Sequence, residues 1–187
     1  MLLKRVAVWG ALALLLPAVP ARAADWQVDP AKSHLTFTGT QAGESFQGRF
    51  TRWTAAIAFD PAHPADGHAE VVIETASAQT GDPQKDEALP QSDWFNAKAY
   101  PQARFVAKTF RQTGPGRYEA VGSLTIKGIS HDVVLPFTLA LSGAQASVSG
   151  TLSIDRTAFH VGEGAWSATT FVGGTVGLDI ALIATRR

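Results

Sequence analysis

Few groups in this chain have the chemistry for catalysis, and their spacing works against most of the reactions they suggest. Ser33-His34 sets a hydroxyl beside an imidazole, the two partners of an activated nucleophile. In an extended strand, however, adjacent side chains leave opposite faces, so the two cannot meet directly. His34 then reads as a strand-end histidine rather than a base. His63 and His68, with Asp60 and Asp66, supply the donor types of a metal site. Their spacing matches no tight ligand pattern, and a solvated polar turn is the plainer reading. His131-Asp132 sits at a hairpin and reads as exposed. The glycine-rich loops lack the Lys-Ser/Thr that completes a phosphate cradle. Cysteine is absent, which removes disulfides, thiol catalysis, thiolate metal sites and acyl anchoring. With no acid–base pair at a workable spacing, the sequence gives no reason to expect an enzyme, a metal or a cofactor.

The ends and the composition narrow the class further. Lys4 and Arg5, the apolar run Val6–Leu16 and the small residues Ala21-Arg22-Ala23 form the pattern of a cleavable export leader. The apolar run is well short of the roughly 20 residues that cross a bilayer. We therefore expect residues 1–23 to be removed and residues 24–187 to act as one domain in the periplasm. Without Lys4, Arg5 and Arg22 the remainder is mildly acidic, and its basic residues are scattered. Nucleic acid is an unsuitable partner for such a surface.

From residue 24 onward, apolar and polar residues alternate at period two through most of the chain. Leu35, Phe37 and Gly39 oppose Thr36, Thr38 and Thr40; Phe105, Ala107 and Thr109 share a face; Val133, Leu135, Phe137, Leu139 and Leu141 give the cleanest strand. Eight or nine strands joined mainly by short turns suit an all-β antiparallel barrel or sandwich. No strand carries the Lys or Pro blunting of a flat exposed edge, which favours closure. The polar face of most strands excludes an outer-membrane barrel, whose outward face is apolar. The alternation stops between Gly81 and Phe105. There, a short helix and turn at about residues 82–100 are expected to lie across one barrel end, anchored by Trp94, Phe95 and Tyr100.

An eight-stranded barrel is either filled by its own side chains or just wide enough for one small ligand. Small residues recur on the faces read as inward: Gly39, Gly48, Ala55, Ala107, Ala120, Gly122 and Gly150. They mark either unfilled apolar volume or merely barrel corners around a solid core. On the first reading the lumen is lined by Leu35, Phe37, Phe50, Ile57, Phe59, Phe105, Leu124, Leu135, Phe137, Leu152, Leu178 and Ile180, with Trp94, Phe95 and Phe159 at the capped end.

Thr80-Gly81, Asp86, Leu89, Asp93-Trp94-Phe95-Asn96 and Tyr100-Pro101-Gln102-Ala103-Arg104-Phe105 resemble the central motif of the YceI-like family. Asp29, Ser33, Gly48-Arg49-Phe50 and Phe59-Asp60 extend the resemblance over nearly the whole chain after the leader. It implies a lipocalin-like barrel holding a polyisoprenoid or related long-chain lipid, such as a quinone tail. A membrane b-type cytochrome is an implied partner, and the chain would act as a monomer or homodimer. Burial contributes about 0.8 kcal/mol per CH₂ against water but nearly nothing against a bilayer. Selectivity must then come from tail shape and polar groups at the mouth, for which Asp93, Lys127 and Arg156 are the candidates. Ala158, His160 and Gly173-Gly174 depart from the family pattern near that mouth. A lipid-modifying enzyme and a ligand-free domain acting in stress through protein contacts are the alternative readings.

Overall fold

The computed structural model describes residues 24–187, and the leader read at Met1–Ala23 lies outside them. The chain forms one antiparallel sheet of eleven strands. These are β1 (Asp25–Val28), β2 (His34–Gln41), β3 (Glu44–Phe50), β4 (Trp53–Ala58), β5 (His68–Glu74), β6 (Ala78–Gln79), β7 (Gln102–Gly114), β8 (Arg117–Ile126), β9 (Ile129–Ser142), β10 (Gln145–Asp155) and β11 (Thr175–Arg186). Pairing runs β1-β4-β5-β7-β8-β9-β10-β11, and β1 closes the ring by pairing β11. The barrel therefore has eight staves, while β2, β3 and β6 extend the sheet beyond β11. The excess over eight or nine strands has a simple origin. Two long strands are each broken, at Asp29–Ser33 and at Thr51-Arg52, and β6 is only two residues long.

β7 departs from strict alternation. Ala107 pairs Gly122 but Thr109 pairs Val121, so Lys108 is an extra residue in a β-bulge. Phe105 and Ala107 face inward as expected; beyond the bulge it is Phe110, not Thr109, that turns in. A Cβ on Gly122 would lie 2.0 Å from the Val106 carbonyl oxygen. That glycine exists for the close approach of the bulged strand, not for an empty lumen.

The expected insertion is present as α1 (Pro83–Ala88) followed by turns to Tyr100, which is exposed rather than the anchor expected. Asp82 caps α1 by accepting from the Gln84 N–H at 2.9 Å, and Pro83 opens its first turn. Asp86 then fastens the helix backwards, accepting from the Thr80 amide at 2.6 Å and its hydroxyl at 2.8 Å. Beneath the insertion Leu89, Phe37, Phe50, Trp94 and Phe95 pack together.

Candidate functional site

The barrel encloses a cavity of about 140 Å³ whose wall contains no charged residue. Ten of the residues expected to line it do so: Leu35, Ile57, Phe59, Phe105, Leu124, Leu135, Phe137, Leu152, Leu178 and Ile180. Trp26, Trp53, Val71, Ile73, Phe110, Leu139, Val148 and Leu182 complete the large part of the wall, and Ala69, Ala120, Ala146, Gly150 and Ala184 the small part. Leu139, Leu182 and Gly150 lie two residues along from an expected one on the same face, and extending the alternation along β10 and β11 reaches Val148, Ala146 and Ala184 as well. Phe110 would not have been found this way, because the bulge changes its face.

The other five expected residues do not line the cavity; Phe37, Phe50, Trp94 and Phe95 plug the barrel end below α1, and Phe159 packs in the neighbouring cluster with Leu35 and Val161. Phe37 and Phe50 rings lie 5.3 Å apart, and Phe50 and Phe95 rings 5.9 Å. Trp94 packs on the same group, and its buried Nε1 finds no acceptor among the described residues. Phe159 is 3 % exposed and meets the His131 ring edge-on. The small inward positions are corrected accordingly. Gly39 and Gly48 are covered by the Phe46 and Phe37 rings, so of the seven only Ala120 and Gly150 border empty space. Away from the insertion, the rings of Phe59, Phe110, Tyr118 and Phe137 interlock with centroids 5.0–5.9 Å apart along the cluster. Each such pair adds about 0.5–1.5 kcal/mol to the burial term.

Two of the three proposed head-group residues have no donor left for a ligand. Arg156 is 3 % exposed. Its guanidinium donates to the carbonyls of Val161, Gly162, Trp166, Val172 and Gly173 at 2.7–3.0 Å, which uses all its N–H groups. It is the hub on which the loop from residue 156 to 174 is wound. Lys127 occupies a left-handed position (φ 50°) in the β8–β9 hairpin. Its ammonium donates to the Ser92 and His160 carbonyls and to Glu163 Oε2, at 3.1, 2.7 and 2.8 Å. Both are pins, not ligand groups. Asp93 alone keeps an exposed carboxylate, while its carbonyl accepts from the Gly162 and Glu163 amides at 2.7 Å and ties insertion to loop.

The unusual loop residues follow from this architecture. His160 holds φ 55°, the region glycine enters most easily, and its Nδ1 meets Glu163 Oε1 at 3.0 Å. Gly173 has no room for a side chain, since a Cβ would sit 2.1 Å from Thr40 Oγ1. The Lys127 hydrogen bond holds the Glu163 carboxyl below its ordinary pKa. Thr80 does the same for Asp86 through its amide, and the Thr157 hydroxyl for Asp155. His34 stands exposed at the start of β2 and His63 bonds Asp60 at 3.3 Å. Among the described residues, no three His, Asp or Glu gather as metal ligands would. Nor is any helix there long and apolar enough to cross a membrane.

Known proteins share this plan. A protein of *Burkholderia cenocepacia* called BcnA superposes with a TM-score of 0.82 at 39 % identity, covering 85 % of this chain and all of that one. The *Campylobacter jejuni* YceI protein gives 0.67 at 27 % identity, over 75 % of this chain and 84 % of that one. A polyisoprenoid-binding domain from *Saccharophagus degradans* gives 0.72 at 16 % identity, over 88 % and 99 %, which is a likeness of fold. A UPF0312 protein of *Pseudomonas savastanoi* is 30 % identical over 179 residues, 90 % of this chain and 93 % of that one. Residues 26–184 match the profile of the YceI-like domain, and the chain belongs to that family.

Proposed function

We propose that this protein binds and carries a long-chain apolar lipid of the polyisoprenoid class in its barrel, on the far side of the inner membrane. The observation that carries the reading is the apolar, uncharged cavity inside a barrel closed by the β1–β11 pairing. A cavity of this kind takes apolar guests and offers nothing to water. Family membership supports the reading, as does the polyisoprenoid binding named for the *Saccharophagus* domain of the same fold. The leader pattern of residues 1–23 supports an export-side location. A quinone tail is one such lipid, and a membrane b-type cytochrome would be a fitting recipient. The wall, among the described residues, carries no acid, base or nucleophile, which supports binding over turnover.

The test is native mass spectrometry and solvent extraction of protein isolated from a bacterial periplasm. A co-purifying prenyl lipid is the expected result; N-terminal sequencing of the same sample should begin at Ala24. One observation favours a second reading, a ligand-free domain acting through protein contacts: about 140 Å³ is the size that admits a single aromatic ring, not a long chain. Protein that carries no lipid and takes up none would establish that second reading.

A further inference from the structure

The size of the cavity and the aromatic clusters at both barrel ends raise the question of where a long chain would lie, and the ladder of the wall is interrupted at one place. β1 pairs β4 only at Asp25↔Ala58 and Trp26↔Ile57, and the β2–β3 ladder begins at Thr36↔Arg49. Between them, residues 27–35 face residues 50–56 with no ladder joining the two. Both edges are held apart by bonds of their own. Asp29 donates its amide to the Ile183 carbonyl at 2.8 Å, and the chain turns outward through Pro30, which has no N–H to pair. Thr51 and Arg52 are drawn the other way, their amides donating at 3.1 Å to the Ser77 carbonyl and hydroxyl oxygens. Ser77 and Thr75, each 1 % exposed, anchor that side.

The result is a slot that continues outside as a groove of about 580 Å³. Leu35 and Trp53 line both the groove and the cavity, so these two residues stand between the two spaces. Phe50 stands beside them on the groove side. The outer rim is charged: Arg52 is paired with Glu74, whereas Arg49, also exposed on this rim, has no carboxylate partner among the described residues. His34 lies on the same rim. An apolar interior, an apolar threshold and an unmatched cation outside are arranged in the order of a lipid's tail, neck and anionic head.

We propose that this slot between β2 and β4 is the entrance to the cavity and the station for the ligand's head: the apolar chain passes sideways between Leu35 and Trp53, and a phosphate-bearing head stays outside against Arg49. The proposal rests on the lipid-carriage reading and goes beyond it by assigning the route and the head-group chemistry. It also answers the volume problem, because the chain occupies cavity and groove together.

The absence of cysteine makes the test direct. Continuing the β2–β3 register past Thr36↔Arg49 sets His34 opposite Thr51 across the slot. The mature double variant His34→Cys/Thr51→Cys is bridged with a short bismaleimide, and a Thr138→Cys/Ser149→Cys pair on the exposed faces of β9 and β10 bridged in the same way serves as a control. Uptake of geranylgeraniol and geranylgeranyl phosphate from detergent micelles is followed by tryptophan fluorescence. The slot bridge should slow uptake of both probes at least about tenfold, with the unbridged variant and the bridged control near wild type. Arg49→Glu should weaken the phosphate about tenfold and leave the alcohol unchanged. Unaltered uptake through a bridged slot overturns the route, and equal effects of Arg49→Glu on both probes overturn the head-group station. If the unmodified protein takes up neither probe, the carriage reading itself fails, and the slot with it.

Discussion

Arg156 shows how a single side chain can look functional in sequence and prove structural in space. A basic residue at the mouth of a lipid barrel suggests a head-group ligand, but this one spends its whole donor set on five carbonyls of its own loop. Hydrogen bonds to a charged group are worth about 1.5–3 kcal/mol each when removal strands a buried partner, and those of one network are not additive. Arg156→Lys keeps the charge but has three donors in place of a planar fork. It should lose about 3 kcal/mol in urea unfolding. Nothing in the sequence around Arg156 revealed this, because its partners lie up to 17 residues away along an irregular loop. His160 belongs to the same scale. A non-glycine residue in the left-handed region costs roughly 1–2 kcal/mol, so His160→Gly should raise the midpoint slightly despite losing the contact with Glu163. A clear fall in the midpoint would show that the imidazole contributes more than its backbone strain takes away.

At the scale of elements, period-two alternation gave the staves and their inward faces wherever the strands run regularly. It failed at Lys108, where one extra residue exchanges Thr109 for Phe110, and at the broken strands, which are bent by bonds to Ile183 and Ser77 far off in sequence. The insertion was legible as an interruption of that period with Trp94 and Phe95 as its anchors; Phe37 and Phe50 were legible as apolar and inward but not as part of the same plug. Its fastening predicts a pH response. Asp86, held by Thr80, and Glu163, held by Lys127, both have carboxyl pKa values depressed by hydrogen bonds to their charged forms. A depressed folded-state pKa contributes stability that is complete above the unfolded value, about 4, and is lost as the pH falls through the folded one. The insertion should therefore loosen below about pH 4 while the barrel ladders hold, because among the described residues their one carboxylate held below its ordinary pKa, Asp155, sits at the last pair of the β10–β11 ladder. Amide exchange measured across an acid series should show protection falling first at Thr80, Gly81, Gly162 and Glu163. Simultaneous loss across β8–β10 would mean that insertion and barrel open as one unit.

For the whole molecule, the decisive property is space that the chain does not fill. A protein selected only for stability would close a dry cavity, since empty volume costs about 24 cal/mol per Å³ in the best-studied substitutions. If the cavity is kept for a guest, stability and uptake must respond in opposite directions to filling it. Val148 is suited to the test: it is half-buried on β10, it lines the cavity, and its neighbour Ser149 faces outward. Val148→Phe adds four carbons to the empty interior, worth up to about 3 kcal/mol at 0.8 kcal/mol per buried carbon before any strain is subtracted. The empty protein should unfold at higher urea by the equivalent of about 1 kcal/mol, while geranylgeraniol uptake falls at least about tenfold. Ser149→Val should leave uptake unchanged. A prenyl guest bound at about a hundred times its dissociation constant would stabilise the wild type by about 2.7 kcal/mol and the filled variant hardly at all. Equal stabilisation of the two proteins by the same guest would place the lipid outside the barrel, and the cavity would then be a packing defect with no tenant.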